Sequence, residues 1–257
     1  MRVPRRPLRH DHDAGGPDDL LADKAAARRA AWDALQHAGA ARFPGAEGRI
    51  PNFVGAEAAA ERLRGTDEWR RARTIKANPD APQWPVRQRA LEDGKTVFMA
   101  VPRLAEEEPF FLLDPSDLAD SPRKAWSIKG ASRSARTVGL DDLEPVDLVV
   151  AGSVAVTEDG VRLGKGGGFS DLEFAVAAEA GLIGSGTLVV TTVHETQVRP
   201  AGSLPSTAHD IAVDIVVTPE RVIRTRRRGA RDSRIRWDEL TEEKIAAIPL
   251  LRKLAGR

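Results

Sequence analysis

The residues best suited to chemistry lie in one stretch, Arg162-Leu163-Gly164-Lys165-Gly166-Gly167-Gly168-Phe169-Ser170-Asp171-Leu172-Glu173. Glycines on both sides of a lysine remove the Cβ atoms that would hold a ligand away from the backbone. Successive N–H groups can then converge on a phosphate chain, and the lysine adds a cation. The stretch leaves an apolar run and opens into a helical pattern, which makes it a candidate nucleotide site. A plainer reading stands beside this one. Ser170-Asp171-Leu172-Glu173 is also a capping box, with Ser at the N-cap, Glu at N3 and an acidic residue favoured by the helix dipole. The two are compatible, since a capped helix start facing a Gly-rich loop is where phosphate binds.

Other candidates are more scattered. Lys24, Arg28 and Trp32 recur every four residues on one helical face; they are either a source of cations or a solvated face with a core tryptophan. Arg49-Ile50-Pro51-Asn52-Phe53 offers an aromatic face and polar edge partners to a flat heterocycle, although Pro51 equally suits a rigid loop. His194 falls at the C-terminal end of an expected strand, where ligands gather in open α/β sheets, but a lone histidine serves structure as readily. Asp210 and Asp214 read as caps and receive no role. Residues 224–236 hold seven arginines in thirteen positions. That segment is either a solvated basic loop or a contact for a nucleic-acid backbone, and it has no aromatics for stacking bases.

Composition narrows the classes. With 39 basic and 38 acidic residues among 257, net charge favours neither nucleic acid nor a membrane surface. No cysteine is present, so disulfides, thiol catalysis and thiolate metal sites are excluded, and five dispersed histidines make a zinc centre a poor fit. No apolar stretch suits a membrane span or a secretion signal, so a cytoplasmic protein is expected.

The elements that must position these residues follow from periodicity. Residues 1–20 have almost nothing to bury and are read as a disordered arm, leaving 21–257 as a single domain. Helices are expected at 23–41 (with Asp23 as N-cap), 56–63, 66–73, 86–93 and 171–180, with a terminal helix at 237–254. Strands are expected at 96–101, 146–150 and 187–193. The last two enclose the Gly-rich loop and its helix, a β-loop-α-β unit with parallel pairing. Hairpins are expected around Asp159-Gly160 and around Thr218-Pro219-Glu220. The result is an α/β fold with a mostly parallel sheet, antiparallel additions and helices on both faces.

In this order the motifs resemble the 5-formyltetrahydrofolate cyclo-ligase family, also called methenyltetrahydrofolate synthetases. The resemblance rests on the Lys24/Arg28 pair, Asp147-Leu148-Val149-Val150, the 162–171 segment, His209-Asp210, Val213-Asp214 and Val217-Thr218. Arg49-Ile50-Pro51-Asn52-Phe53, Val101-Pro102-Arg103-Leu104, Lys129-Gly130, Gly152-Ser153-Val154-Ala155-Val156, Asp171-Leu172-Glu173 and Thr192-Val193-His194 are similar to its paralogous domain-containing branch.

The resemblance implies a three-layer α/β/α sandwich related to sugar-phosphate isomerase and CoA-transferase folds, acting as an ATP- and Mg²⁺-dependent ligase of one-carbon folate metabolism. In that reaction the formyl oxygen on N5 attacks the γ-phosphate of ATP, and phosphate then leaves as N10 closes the ring. Positioning and charge neutralisation are what such a step asks of a protein. By the same resemblance, Lys165 and Arg162 act in catalysis. Lys24, Arg28, Gly164, Lys165, Gly166, Gly167, Gly168, Phe169 and Ser170 bind the nucleotide, and Asp171 takes Mg²⁺. Arg49, Asn52, Phe53 and His194 face the second substrate. Phe169-Ser170 replaces a tyrosine pair usual in cyclo-ligases, in a chain without any tyrosine. That substitution, with the paralogous motifs, keeps open another acceptor, including one of thiamin metabolism. A monomer or homodimer acting on a small molecule is expected, with nucleic-acid binding through 224–236 ranked last.

Overall fold

The computed structural model describes residues 17–101, 104, 106–119, 121–207, 210–225 and 234–256. The segment 1–16, His209 and most of the basic run expected at 224–236 lie outside the described residues, as do Pro102 and Arg103.

The strands are β1 (Thr74–Ala77), β2 (Thr96–Ala100), β3 (Phe110–Leu113), β4 (Arg136–Val138), β5 (Leu148–Val150), β6 (Ala155–Thr157), β7 (Arg162–Leu163), β8 (Leu188–Thr192), β9 (Val198–Arg199), β10 (Ile215–Val217) and β11 (Val222–Arg224). Eight of them make one sheet in the order β11-β10-β8-β5-β1-β2-β3-β4, and β7-β6-β9 make a second. Pairing is parallel from β10 through β8, β5 and β1 to β2, and antiparallel at both margins. Both expected hairpins are present, as β6–β7 and β10–β11.

Period-two alternation divides each central strand between two cores. Val97 and Met99 of β2 join Ile75, Ala77, Leu148 and Val150 on one face, covered by α2 (Ala56–Arg64), α3 (Asp67–Arg71), α4 (Trp84–Glu92), α5 (Pro122–Ala125) and α6 (Ile128–Ser134). Phe98, Val149, Val189 and Val216 face the other way, toward α7 (Phe169–Glu179) and the terminal helices α8 (Glu242–Ala247) and α9 (Pro249–Ala255). The three-layer sandwich expected from the sequence is therefore present. Helix α1 (Pro17–His37) packs Ala31 against Ala155 and Leu163 of the small sheet and against Val154 just before it.

Several expectations need correcting. Helix α1 starts at Pro17, with Asp18 and Asp19 in its first turn, so Asp23 is not its N-cap and the last residues of the expected arm are helical. The expected terminal helix is broken. A 3₁₀ turn at Trp237–Glu239 precedes α8, and extended Ile248 separates α8 from α9 because Pro249 disfavours helical backbone in the residue before it. Ser170 does not cap α7. Gly168 does, at φ 66°, so Glu173 lies inside the helix, buried against β1. Strand β1, at the centre of the sheet, was not expected. Among the described residues, no helix is long and apolar enough to cross a membrane.

Candidate functional site

The Gly-rich loop joins β7 to α7 and opens on a cavity of about 1390 Å³ at the C-terminal ends of β1 and β5. Its walls come from far apart in the chain. They include Lys24 and Arg28 of α1, Arg49, Asn78 and Asp80 after β1, Gly152 after β5, residues 162–175, and Arg234, Ile235, Arg236, Leu240 and Lys244 near the C-terminus. A volume this size exceeds the usual range of about 300–1,000 Å³ for a single-ligand pocket.

The loop is shaped by positive φ at Gly166 (108°) and Gly168 (66°), which other residues adopt only under strain. Among the described residues, no acceptor meets the N–H groups of Lys165, Gly166, Gly167 or Gly168. Arg28 Nε donates to Gly164 O at 2.8 Å, and a Cβ at Gly166 would lie 3.5 Å from its guanidinium carbon, so α1 is clamped directly onto the loop. Lys24 Nζ pairs with Asp210 Oδ2 at 2.5 Å, one turn away on the same helix face. Burial lowers the Arg28 pKa, Asp210 opposes that, and Arg162 adds to it. The guanidinium stays protonated, at a position where additional negative charge is favoured.

Arg162 is almost wholly buried and organises the floor. It donates to Gly152 O at 3.0 Å and Ile211 O at 3.4 Å, and pairs with Asp171 Oδ1 at 2.6 Å. Ile211 N–H donates to the same oxygen at 3.2 Å, and the partly exposed Asp171 lines the cavity. Lys165 reaches across toward Asp80 Oδ1 at 3.7 Å. The turn carrying Asp80 is held by Arg87, fully buried on α4, which donates to the carbonyls of Asn78, Pro79 and Asp80. Burial pushes the Arg87 guanidinium down to about 10, against the attraction of Asp80. Beneath the loop, Lys76 of β1 pairs with Glu173 of α7 at 2.5 Å, both buried, and Asn78 Nδ2 donates to the same oxygen at 3.3 Å. Ser170 Oγ lies 3.5 Å from Asn78 Oδ1.

The structure thus brings together Lys24, Arg28, Arg162, Gly164, Lys165, Gly166, Gly167, Gly168, Phe169, Ser170 and Asp171, with Arg49 at the cavity wall. It separates the rest of the expected second-substrate group. Phe53 is core, packed among Leu35, Ala40, Ala46, Ala56 and Ala59. Asn52 spends its amide on its own loop, donating to Phe43 O at 3.1 Å and accepting from Phe53 N–H at 3.0 Å. His194 accepts from Thr196 N–H at 3.2 Å as the cap of a 3₁₀ turn and meets the Phe53 ring edge-on at 6.3 Å between centroids. None of these three residues lines the main cavity. Asp80 and Lys244, which the sequence did not single out, line it, as does Asp210, which was given no role there.

The molecule is thus an open, mostly parallel α/β sheet with a glycine loop at a helix start and cations beside that loop. The model of the 5-formyltetrahydrofolate cyclo-ligase family matches residues 18–219, and the chain belongs to that family. Methenyltetrahydrofolate synthase domain-containing proteins from Bos taurus and Mus musculus are each 41% identical to it, over 230 and 237 residues. Those matches cover 88% and 91% of this chain, which spans about three fifths of the relatives' length, 60% and 63%. A probable 5-formyltetrahydrofolate cyclo-ligase of Schizosaccharomyces pombe is 27% identical over 169 residues, 61% of this chain and 80% of its own. The NMR structure of Aquifex aeolicus 5,10-methenyltetrahydrofolate synthetase shares the fold at a TM-score of 0.51 and 21% identity, covering 80% of this chain and 95% of that one.

Proposed function

We propose that the protein binds MgATP in this cavity and phosphorylates an oxygen of a one-carbon-carrying heterocycle, 5-formyltetrahydrofolate in the first instance, as a cyclo-ligase. One observation carries this reading: the N–H groups of residues 165–168 have no acceptor among the described residues, and these residues line a cavity beside the clamp that Arg28 makes on Gly164. Phosphate oxygens satisfy such donors at a helix start without rearrangement.

In the reaction the formyl oxygen attacks the γ-phosphorus and ADP departs. N10 then adds to the activated carbon, and inorganic phosphate carries away the former formyl oxygen. Lys24, Arg28 and Lys165 neutralise charge on the triphosphate, while Arg162, fixed by two carbonyls, holds Asp171 at the cavity edge. Among the described residues no cluster of three or more acidic or histidine side chains could hold a metal. Asp171 nevertheless suffices, because Mg²⁺ keeps several waters and is usually bound through one or two carboxylates plus substrate phosphates. Bound there, Mg²⁺ would draw charge from the phosphates.

The direct test incubates the full chain with 5-formyltetrahydrofolate and MgATP and follows the absorbance of 5,10-methenyltetrahydrofolate. Turnover that disappears in Lys165→Met is the expected result, and none at high enzyme concentration rejects the folate version. A second reading keeps MgATP and changes the acceptor. It is favoured by Phe169, whose ring lies under Lys244 and offers no hydroxyl, and by the domain-containing relatives. Acceptor-dependent phosphate release, surveyed across folate and thiamin-related compounds, separates the two.

A further inference from the structure

We propose that Lys244, carried by the C-terminal segment 234–256, is a phosphate-binding residue of this cavity, supplied from outside the part of the chain that the family model matches. That match ends at residue 219. The inference rests on the polyphosphate reading of the glycine loop and adds a ligand group to it.

The segment is docked where it can serve the loop. Ile235, Ile248, Leu250 and Leu251 are buried with Leu172, Ala175 and Val176, so it packs on the helix that the loop opens. Thr241 caps α8, accepting from Lys244 N–H at 3.1 Å, which fixes the backbone from which the side chain departs. Lys244 Nζ donates to Gly167 O at 3.4 Å and lies 5.3 Å from the centre of the Phe169 ring. A Cβ at Gly168 would sit 3.4 Å from the same nitrogen. The ammonium is therefore beside three consecutive residues of the loop.

Its charge balance differs from that of its neighbours. Lys24 is paired with Asp210, Arg162 with Asp171, and Lys165 faces Asp80. Among the described residues, Lys244 pairs with no carboxylate; a carbonyl oxygen and an aromatic face are its holds. Both are weaker than a charged partner, so the ammonium can move to a phosphate oxygen in the loop without breaking an ion pair. A lysine serves this as a compact point charge with three rotatable donors. The ligand class is a polyphosphate, which Arg28 would meet beside Gly166 and Lys244 beside Gly168.

The test is calorimetric titration of the full chain with MgATP and separately with inorganic tripolyphosphate, for the parent, Lys244→Met and Lys244→Arg. Lys244→Met is expected to weaken both ligands by about tenfold, with less loss at high salt. Lys244→Arg should stay within about threefold of the parent. Unchanged affinity of Lys244→Met for both ligands overturns the inference. A parent that takes tripolyphosphate but not MgATP rejects the nucleotide reading while the tripolyphosphate arm still decides Lys244. A parent that takes neither overturns both.

Discussion

Two regions carry residues of the types that bind flat or charged ligands, and they have opposite fates. Asn52 and Phe53 with His194 turn away from the main cavity, although Arg49 of the same loop lines it. Both ends of the Asn52 amide are used locally, Phe53 is 2% exposed, and His194 caps a turn. The 165–168 turn leaves its N–H groups without acceptors among the described residues, while the nearby cations are held in place through Gly164 O, Asp171 and Asp80. Residue type is shared between the regions, so the discriminating quantity is whether polar groups are already satisfied. The loop donors at 165–168 are exposed and remain open to a ligand, whereas those of Asn52 and Phe53 are already taken.

Substitutions should split along the same line. The largest effect is expected for Phe53→Ala, which should cost about 3–5 kcal/mol of unfolding free energy in urea denaturation through lost packing. MgATP affinity of the folded fraction should stay unchanged; a large affinity loss would return Phe53 to the site and break the contrast. Arg28→Met should behave inversely, weakening MgATP about 30- to 100-fold, or about 2–3 kcal/mol, in calorimetry with little change in unfolding. Equal affinity there would remove the clamp from the argument. Asn52→Ala should cost about 1–2 kcal/mol in stability by leaving Phe43 O and Phe53 N–H without their partner, again with parent affinity for MgATP.

The smallest effect concerns Asp147, whose Oδ2 accepts from Arg73 N–H at 2.7 Å and Thr74 N–H at 3.1 Å, fixing β1 against β5. Partial burial raises this carboxyl, but the two N–H groups and the Thr74 hydroxyl outweigh it, and its pKa is lowered overall. The stabilisation is complete above the unfolded value near 3.9 and disappears as pH falls through the lower folded value. Asp147→Asn should therefore be less stable than the parent at neutral pH, with the gap closing in acid. A gap that persists below pH ~2 would assign the effect to something other than ionisation.

Much of this was legible in the chain. The parallel β-loop-α-β unit, both hairpins and the convergence of Lys24 and Arg28 on the glycine loop all correspond to local patterns or motif order. The central strand β1 did not show. Thr74-Ile75-Lys76-Ala77 is short, carries a lysine and lies between Arg73 and Asn78-Pro79. Lys76 tolerates burial because Glu173, far along the chain, neutralises it. Asp210 escaped for the same reason, since Lys24 is its partner. Ser170 looked like a cap because capping boxes are read from side chains, whereas Gly168 starts the helix through backbone conformation alone. Long-range charge compensation leaves no periodic trace.

The bond from Arg28 to Gly164 spans 136 positions of sequence, and the one from Lys24 to Asp210 spans 186. The C-terminal half of the first helix can settle early, through Leu35 on Phe53, Ala56 and Ala59, but a ribosome must finish most of this polypeptide before the half carrying Lys24 and Arg28 finds its partners. Occupancy of the cavity should consequently be readable at a distance from the loop, as slowed deuterium uptake by amides around Ala27 and Ala31.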